Sequence, residues 1–191
     1  MPSYIQYINK GNAESWSHTS EYEPNWDDER GPATLGKQGA NSKPDFDFTN
    51  MGYLMPQDTA TEIMYISNQM PHSTKAGDIT IYPHIHYIQD EAEIPVFKID
   101  YRFYNNGGAI PSFTTGLSTA DGDGLVFTYP ASAILQIIPF PSIALTDVGP
   151  SMWYDIKVYR DDDVVTGDVL LKGFDFHRPI DTLGSEQQYV K

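Results

Sequence analysis

Cysteine is absent from the 191-residue sequence, which excludes a disulfide framework and any thiolate metal site. Basic residues are few: 12 Lys and Arg stand against 26 Asp and Glu, for a formal charge of −14 at pH 7. Such a surface repels phosphate backbones and anionic lipid, so we expect neither direct nucleic-acid binding nor a membrane partner. No apolar run approaches the roughly 20 residues that a membrane helix requires. Residues 1–12 lack the basic and apolar segments of a secretory signal, so we expect synthesis in the cytoplasm.

Aliphatic residues are scarce at the start of the chain, where residues 1–45 contain only three Ile, Leu or Val residues. Such a segment buries too little apolar area to fold alone. It nevertheless contains Trp16, Tyr22 and Trp26, and aromatic side chains are favoured in interface pockets. We therefore predict an extended N-terminal arm over residues 1–45 that binds a partner through these three residues. A disordered leader is the alternative.

Aromatic and turn residues are abundant instead, with 13% aromatic residues, 14 Pro and 15 Gly. Apolar and polar residues alternate with period two in several runs, and no run has helical periodicity. The strand-like runs are residues 45–48, 61–67, 77–88, 96–104, 125–129, 133–140, 153–160 and 169–177. About eight strands predict an all-β protein, an antiparallel β-sandwich of the jelly-roll-like kind, over residues 46–191. The nearly all-apolar run 133–140 predicts a strand buried on both sides or lying at an interface.

Two histidines, His84 and His86, lie two residues apart in the run GDITIYPHIHYI, residues 77–88. Alternate residues of a strand leave the same face, so the two imidazoles project side by side. Imidazole and carboxylate ligands together suit Zn, Fe or Ni. The candidate ligands of such a divalent metal are His72, His84, His86 and His177, with Glu91 or Asp175 nearby.

The alternative for these histidines is architectural. Imidazoles that line a polar seam can hydrogen-bond to one another, to Asp175 or to Tyr82 without any metal. An H-x-H spacing alone does not distinguish the two hypotheses. The acidic turns at residues 121–123 and 161–163 lack the ligand spacing of a calcium-binding loop, so solvated turns explain them.

The spacing of His84 and His86 with Glu91 resembles the first motif of the cupins. That resemblance implies two His and one Glu binding a metal inside a β-barrel. Lys98 stands where cupins have Gly, and no second cupin motif surrounds His177. A cupin-like metal-binding enzyme, or a glycan- or receptor-binding module, is therefore the alternative function. No nucleophile elbow or phosphate-binding loop is present, so we expect a protein that is not an enzyme.

Four short motifs occur in order along the chain: Pro71-His72, Pro83-His84-Ile85-His86-Tyr87, Asp175-Phe176-His177 and Asp181-Thr182-Leu183-Gly184-Ser185. In this combination the chain resembles a group of virion structural proteins of tailed bacteriophages and prophages. The matched blocks, residues 61–87 and 169–191, cover about a quarter of the chain. Tyr87 stands where Trp is expected more often, and Arg178-Pro179 after the last His is a departure.

The resemblance implies a non-enzymatic component of the virion, such as a capsid decoration (cement) protein, a head fibre or a tail-associated protein. It implies self-association as a homo-oligomer, a trimer, and docking on the major capsid protein or other virion proteins. We expect no cofactor, and a divalent metal at the histidines is the alternative. We accordingly expect synthesis in the host cytoplasm followed by incorporation into the virion. Receptor or glycan binding by exposed loops such as residues 105–119 stays open as a third role.

Overall fold

The computed structural model describes residues 25–32, 37–38, 44–56, 62–89, 94–121, 135–149, 151–160 and 167–180. Within these ranges the chain forms twelve strands in two antiparallel sheets, with one short 3-10 turn, Thr119–Asp121. The predicted all-β sandwich is confirmed. Among the same residues, no helix is long and apolar enough to cross a membrane. The predicted strand at residues 125–129 lies outside the described ranges.

The larger sheet is organised around two twelve-residue strands that pair with each other, β6 and β12. On its side away from β12, β6 pairs with β9 and β10. On its side away from β6, β12 pairs with β1 and β4, and β3 extends the sheet beyond β4. The seven strands are β1 (Asn25–Pro32), β3 (Asp45–Asp47), β4 (Gly52–Met55), β6 (Gly77–Ile88), β9 (Gln136–Pro139), β10 (Ile143–Val148) and β12 (Val169–Ile180).

The smaller sheet has five strands in the order β2, β5, β11, β7, β8. They are β2 (Lys37–Gln38), β5 (Met64–Gln69), β7 (Phe97–Tyr104), β8 (Thr114–Ser118) and β11 (Trp153–Arg160). The central strand β11 covers the residues predicted for it, and it alternates: Tyr154, Ile156 and Val158 are buried, and the residues between them are partly exposed. This alternation is what a strand with one face on the core requires.

The core lies between the two sheets and is rich in aromatic rings. Phe176 of β12 packs against Tyr154 and Phe103 of the smaller sheet, with ring centroids 5.3 and 6.4 Å apart. The buried residues of β6 that share this core are Ile79, Ile81, Ile85 and Tyr87, which lie an even number of residues apart and therefore share one face. The histidines of β6 consequently lie on the opposite, outer face of the larger sheet.

Two strands, β1 and β2, lie within residues 1–45, the span predicted as an extended arm. β12 is long, and its edge from Gly173 to Ile180 needs a hydrogen-bonding partner, which all eight residues of β1 provide. Glu29 of β1 is buried and accepts a hydrogen bond from the Tyr154 hydroxyl at 3.2 Å. The sandwich therefore includes strands that precede residue 46. Residues 1–24, with Trp16 and Tyr22, lie outside the described residues, as does the side chain of Trp26.

Gly52 is a position where a side chain does not fit, because β4 lies close to β12. A Cβ placed there would come within 2.6 Å of the Leu171 carbonyl oxygen, a backbone atom. We expect Gly52→Ala to lower the free energy of unfolding by about 1–3 kcal/mol in urea denaturation, as overpacking does.

The matched control is Gly149→Ala, where the nearest atom is the side-chain Oδ1 of Asn105 at 2.8 Å. The Asn105 side chain bonds to Gly149 and Asp147, but it can shift at a lower cost than the backbone of a paired strand, so we expect a smaller loss for this variant. A Gly52→Ala protein as stable as the wild type would contradict the close approach of β4 and β12.

Candidate functional site

The pairing of β6 with β12 brings three of the four predicted histidines together on the outer face of the larger sheet. In this register His86 lies opposite Gly173, His84 opposite Asp175, and Tyr82 opposite His177. A register shift between Leu171 and Gly173 sets the alternation, because a bulge re-aims the residues that follow it. Phe174 and Phe176 therefore face the core, while Asp175 and His177 face the outer cleft. We call His84, His86, Asp175 and His177 the histidine seam.

Asp175 is the centre of the histidine seam. Its Oδ2 accepts a hydrogen bond from Nε2 of His86 at 2.9 Å, and its Oδ1 is in contact with Nε2 of His84. The His84 ring lies between its neighbours, with centroids 5.2 Å from His86 and 4.9 Å from His177. His177 in turn pairs with Asp28 of β1, with 3.1 Å between Nε2 and Oδ1. The seam thus links three adjacent strands.

Burial and hydrogen bonding set the charges at the centre of the seam. Burial alone raises the pKa of Asp175, but the hydrogen bonds from His84 and His86 outweigh it and lower the pKa to about 2. Burial depresses the pKa of His84, yet the hydrogen bond and the charge of Asp175 exceed that effect and raise the pKa overall. Asp175 is therefore ionised at neutral pH, and His84 keeps a proton to higher pH than a free imidazole does.

Three side chains of the seam form a compact donor set. One ring nitrogen each from His84 and His86 and one carboxylate oxygen of Asp175 all lie within 4.8 Å of one another. Two imidazoles and one carboxylate are a common ligand set for divalent first-row transition metals. The chemistry of these donors therefore fits a metal of the Zn, Fe or Ni type.

The donor set lines an open cleft of about 440 Å³. Apolar side chains form part of its wall, and Ile137 of β9 lies directly opposite His86 in the sheet. Ile137 and Leu135 are exposed, so this part of the run 133–140 is not buried on both sides within the described chain. The remaining prediction for that run, a strand at an interface, stays a prediction.

The other predicted ligands lie elsewhere or stand apart. His72 is in the turn before β6 and its Nε2 contacts the Ser151 hydroxyl, so it is not one of the clustered donors. His177 stands beside His84 but is paired with Asp28. Glu91, the third residue of the cupin-like spacing, lies outside the described residues. Asp175 takes the carboxylate position instead.

Asp28 and Ile137 are among the wall residues that no motif of the sequence predicted. Asp28 reaches the cleft only because β1 pairs with β12, and nothing in the polar leader signals that pairing. Ile137 belongs to an apolar run whose neighbour in the sheet cannot be read from one sequence. Both residues reach the cleft through strand pairing, which a local sequence motif does not encode.

No protein-family model matches the sequence, and no curated protein matches it either. Among solved structures, it is similar to an isomalto-dextranase of Arthrobacter globiformis T6 complexed with panose, at 14% identity and a TM-score of 0.43, over 78% of this chain and 23% of that one. It is also similar to a GH26-CBM35 β-(1,4)-mannanase of Podospora anserina, at 13% identity and a TM-score of 0.38, over 81% of this chain and 28% of that one.

A third similar structure is that of infectious bursal disease virus, Gx strain, at 8% identity and a TM-score of 0.39, over 88% of this chain and 35% of that one. In these three cases the chain spans between 23% and 35% of the length of the solved chain. Likeness at this level assigns no function to the chain.

Proposed function

We propose that this chain is a non-enzymatic structural protein of a phage particle, which oligomerises and docks on other virion proteins. The proposal starts from the ordered motifs that resemble virion structural proteins. The observation that supports a structural role is that the described residues of these motifs connect elements of the sandwich. His84 and His86 contact Asp175 between β6 and β12, and His177 pairs with Asp28 between β12 and β1.

The remaining described motif, Pro71-His72, also serves the architecture. The backbone oxygen of Pro71 accepts a hydrogen bond from Thr74, which closes the turn before β6. Thr74 forms an isolated bridge with Ile180, and the next backbone N–H, that of Lys75, donates to Pro179 at 3.0 Å. The motifs around His72, His84 and His177, which are distant in sequence, therefore meet along β12. This arrangement is what residues that stabilise the fold would have.

Exposed apolar side chains support docking. Tyr82 and Ile137 on the outer face and Phe48 and Met51 in the turn between β3 and β4 are exposed, although each has a large apolar surface. Apolar patches on a protein surface commonly mark contacts with other proteins. The negative charge of the chain keeps such a protein soluble before assembly.

Co-sedimentation tests this proposal. Particles from a phage or prophage that lacks this gene should take up the purified full-length protein until a fixed number of copies is bound. A non-virion protein of similar size and charge serves as the control and should stay in the supernatant. Failure of the purified protein to sediment with gene-deleted particles would contradict a docking role.

The open cleft favours one second candidate, a metal-dependent enzyme or a glycan-binding module that uses His84 and His86. A cleft with two imidazoles, a carboxylate and an apolar wall can hold a small ligand. The discriminating observation is saturable binding of a glycan, or metal-dependent turnover, that is lost on His84→Ala. If the protein shows neither glycan binding nor metal-dependent turnover, the result supports the structural role and contradicts the second candidate.

A further inference from the structure

We propose that His84, His86 and Asp175 bind one divalent transition-metal ion, which bridges β6 and β12 and keeps at least one coordination position open to the cleft. This inference rests on the geometry of the seam and goes beyond the proposed particle role. Either one can fail without the other. The chemical class of the ligand is a cation that accepts imidazole and carboxylate donors, with Zn²⁺ as the reference ion.

The backbone places the three donors before any metal arrives. His84 and His86 leave the same face of β6, and Asp175 lies directly opposite His84 on the paired strand. Ligand atoms about 2.0–2.2 Å from a tetrahedral Zn²⁺ lie roughly 3.3–3.6 Å from each other. The hydrogen bond between His86 Nε2 and Asp175 Oδ2 measures 2.9 Å, so only a small opening of the side chains would admit the ion.

Proton balance is consistent with metal binding through Nε2. A ligating imidazole must be neutral and must carry its proton on the other ring nitrogen. Nδ1 of His84 lies 3.5 Å from the Tyr82 carbonyl oxygen, an acceptor that favours a proton on Nδ1. Metal binding would replace the contacts that Nε2 of His84 and Nε2 of His86 make with the carboxylate of Asp175.

Charge and donor type select the class of ion. The carboxylate of Asp28 pairs with His177 in the same cleft, and the chain carries a formal charge of −14, so a dication meets a favourable field. Ca²⁺ and Mg²⁺ prefer oxygen ligands, and this set offers two nitrogens for each carboxylate. The site should therefore discriminate in favour of Zn²⁺, Co²⁺ or Ni²⁺ over Ca²⁺ and Mg²⁺.

The experiment uses the full-length chain without a histidine tag, stripped with a chelator. Titration with Co²⁺ should produce a saturating visible absorption band at one ion per chain, and Zn²⁺ should abolish it. At a hundredfold excess over its Kd, Zn²⁺ should raise Tm by roughly 5–10 °C. His86→Ala and Asp175→Asn should each weaken Zn²⁺ binding at least tenfold, while His72→Ala, which removes a histidine outside the donor set, should leave binding unchanged.

Equal Zn²⁺ affinity for wild type and His86→Ala would overturn the proposal, as would the absence of a saturable Co²⁺ band. Should a variant fail to fold, histidine side-chain NMR of the wild-type protein answers the same question. Zn²⁺ should then shift the ring signals of His84 and His86 and leave those of His72 in place. Unchanged signals for His84 and His86 would mean that the seam is held by hydrogen bonds alone.

Discussion

Replacing Phe176 with alanine should lower the free energy of unfolding by about 3–5 kcal/mol, the usual cost of removing a fully buried ring. Phe176 has no exposed surface and contacts the rings of Tyr154, Phe103 and Phe174. It therefore joins the larger sheet to the smaller one at the centre of the core. For a domain whose total stability is of order 5–15 kcal/mol, this loss is a large fraction. Urea denaturation followed by tryptophan fluorescence measures it.

The matched control is Phe48→Ala, the same substitution at a ring that is 82% exposed. Phe48 touches Phe46 edge-on, with centroids 4.9 Å apart, so we expect a loss of less than about 1 kcal/mol. Equal losses for the two variants would mean that Phe176 does not lie between the sheets. An unchanged Phe176→Ala protein would contradict the sandwich core directly.

Deleting residues 1–24 should abolish uptake by gene-deleted particles and leave the sandwich folded. The deletion ends immediately before β1, so every described strand is kept. It removes Trp16 and Tyr22, two of the three predicted partner-binding residues. Loss of a single anchor residue from an interface weakens the binding free energy by about 2 kcal/mol or more, which is roughly a thirtyfold weaker association. This deletion removes two predicted anchors. Co-sedimentation and a thermal unfolding curve measure the two effects.

A longer deletion, of residues 1–32, distinguishes the role of the predicted arm from the role of β1 in the fold. It removes β1, exposes the edge of β12 and takes away Glu29, the buried partner of the Tyr154 hydroxyl. We expect this protein to aggregate, because an unpaired β-strand edge invites pairing with another chain. Normal particle uptake of the shorter deletion would contradict the arm prediction. A soluble, fully stable longer deletion would contradict the role of β1 in the sheet.

Alternation of apolar and polar residues predicted the strands that have one face on the core. β7, β11 and β12 were found this way, although only β11 is buried at every second residue along its whole length. The prediction that residues 77–88 form a strand with His84 and His86 on one face is confirmed as well. Long strands of this kind carry enough repeats for the pattern to stand out.

Three other strands were not predicted from alternation, each for a different physical reason. β4 has four residues, three of them buried, so neither face alternates. β8 contains Gly116 at φ +79° beside a register shift, which interrupts the pattern. β1 is rich in charged residues and forms because the edge of β12 offers it partners. In each case tertiary pairing outweighs local sequence preference.

The sequence predicted part of the histidine seam, namely the common face of His84 and His86. The spacing of His84 and His86 fixed their common face, and Asp175 was a candidate neighbour from the outset. Only the register of β6 against β12 decides that Asp175 joins them, that His177 stands beside them, and that His72 contacts Ser151 instead. Register depends on which strands pair and on the bulge after Leu171, neither of which is readable from one sequence.

The most direct test of the particle role is quantitative mass spectrometry of purified intact virions from a phage or prophage that carries this gene. We predict that the chain is present at a fixed copy number relative to the major capsid protein, unchanged by high-salt washing and by repeated gradient purification. Absence of the chain from intact virions, with the protein present only in the free fraction of the lysate, would contradict the proposal.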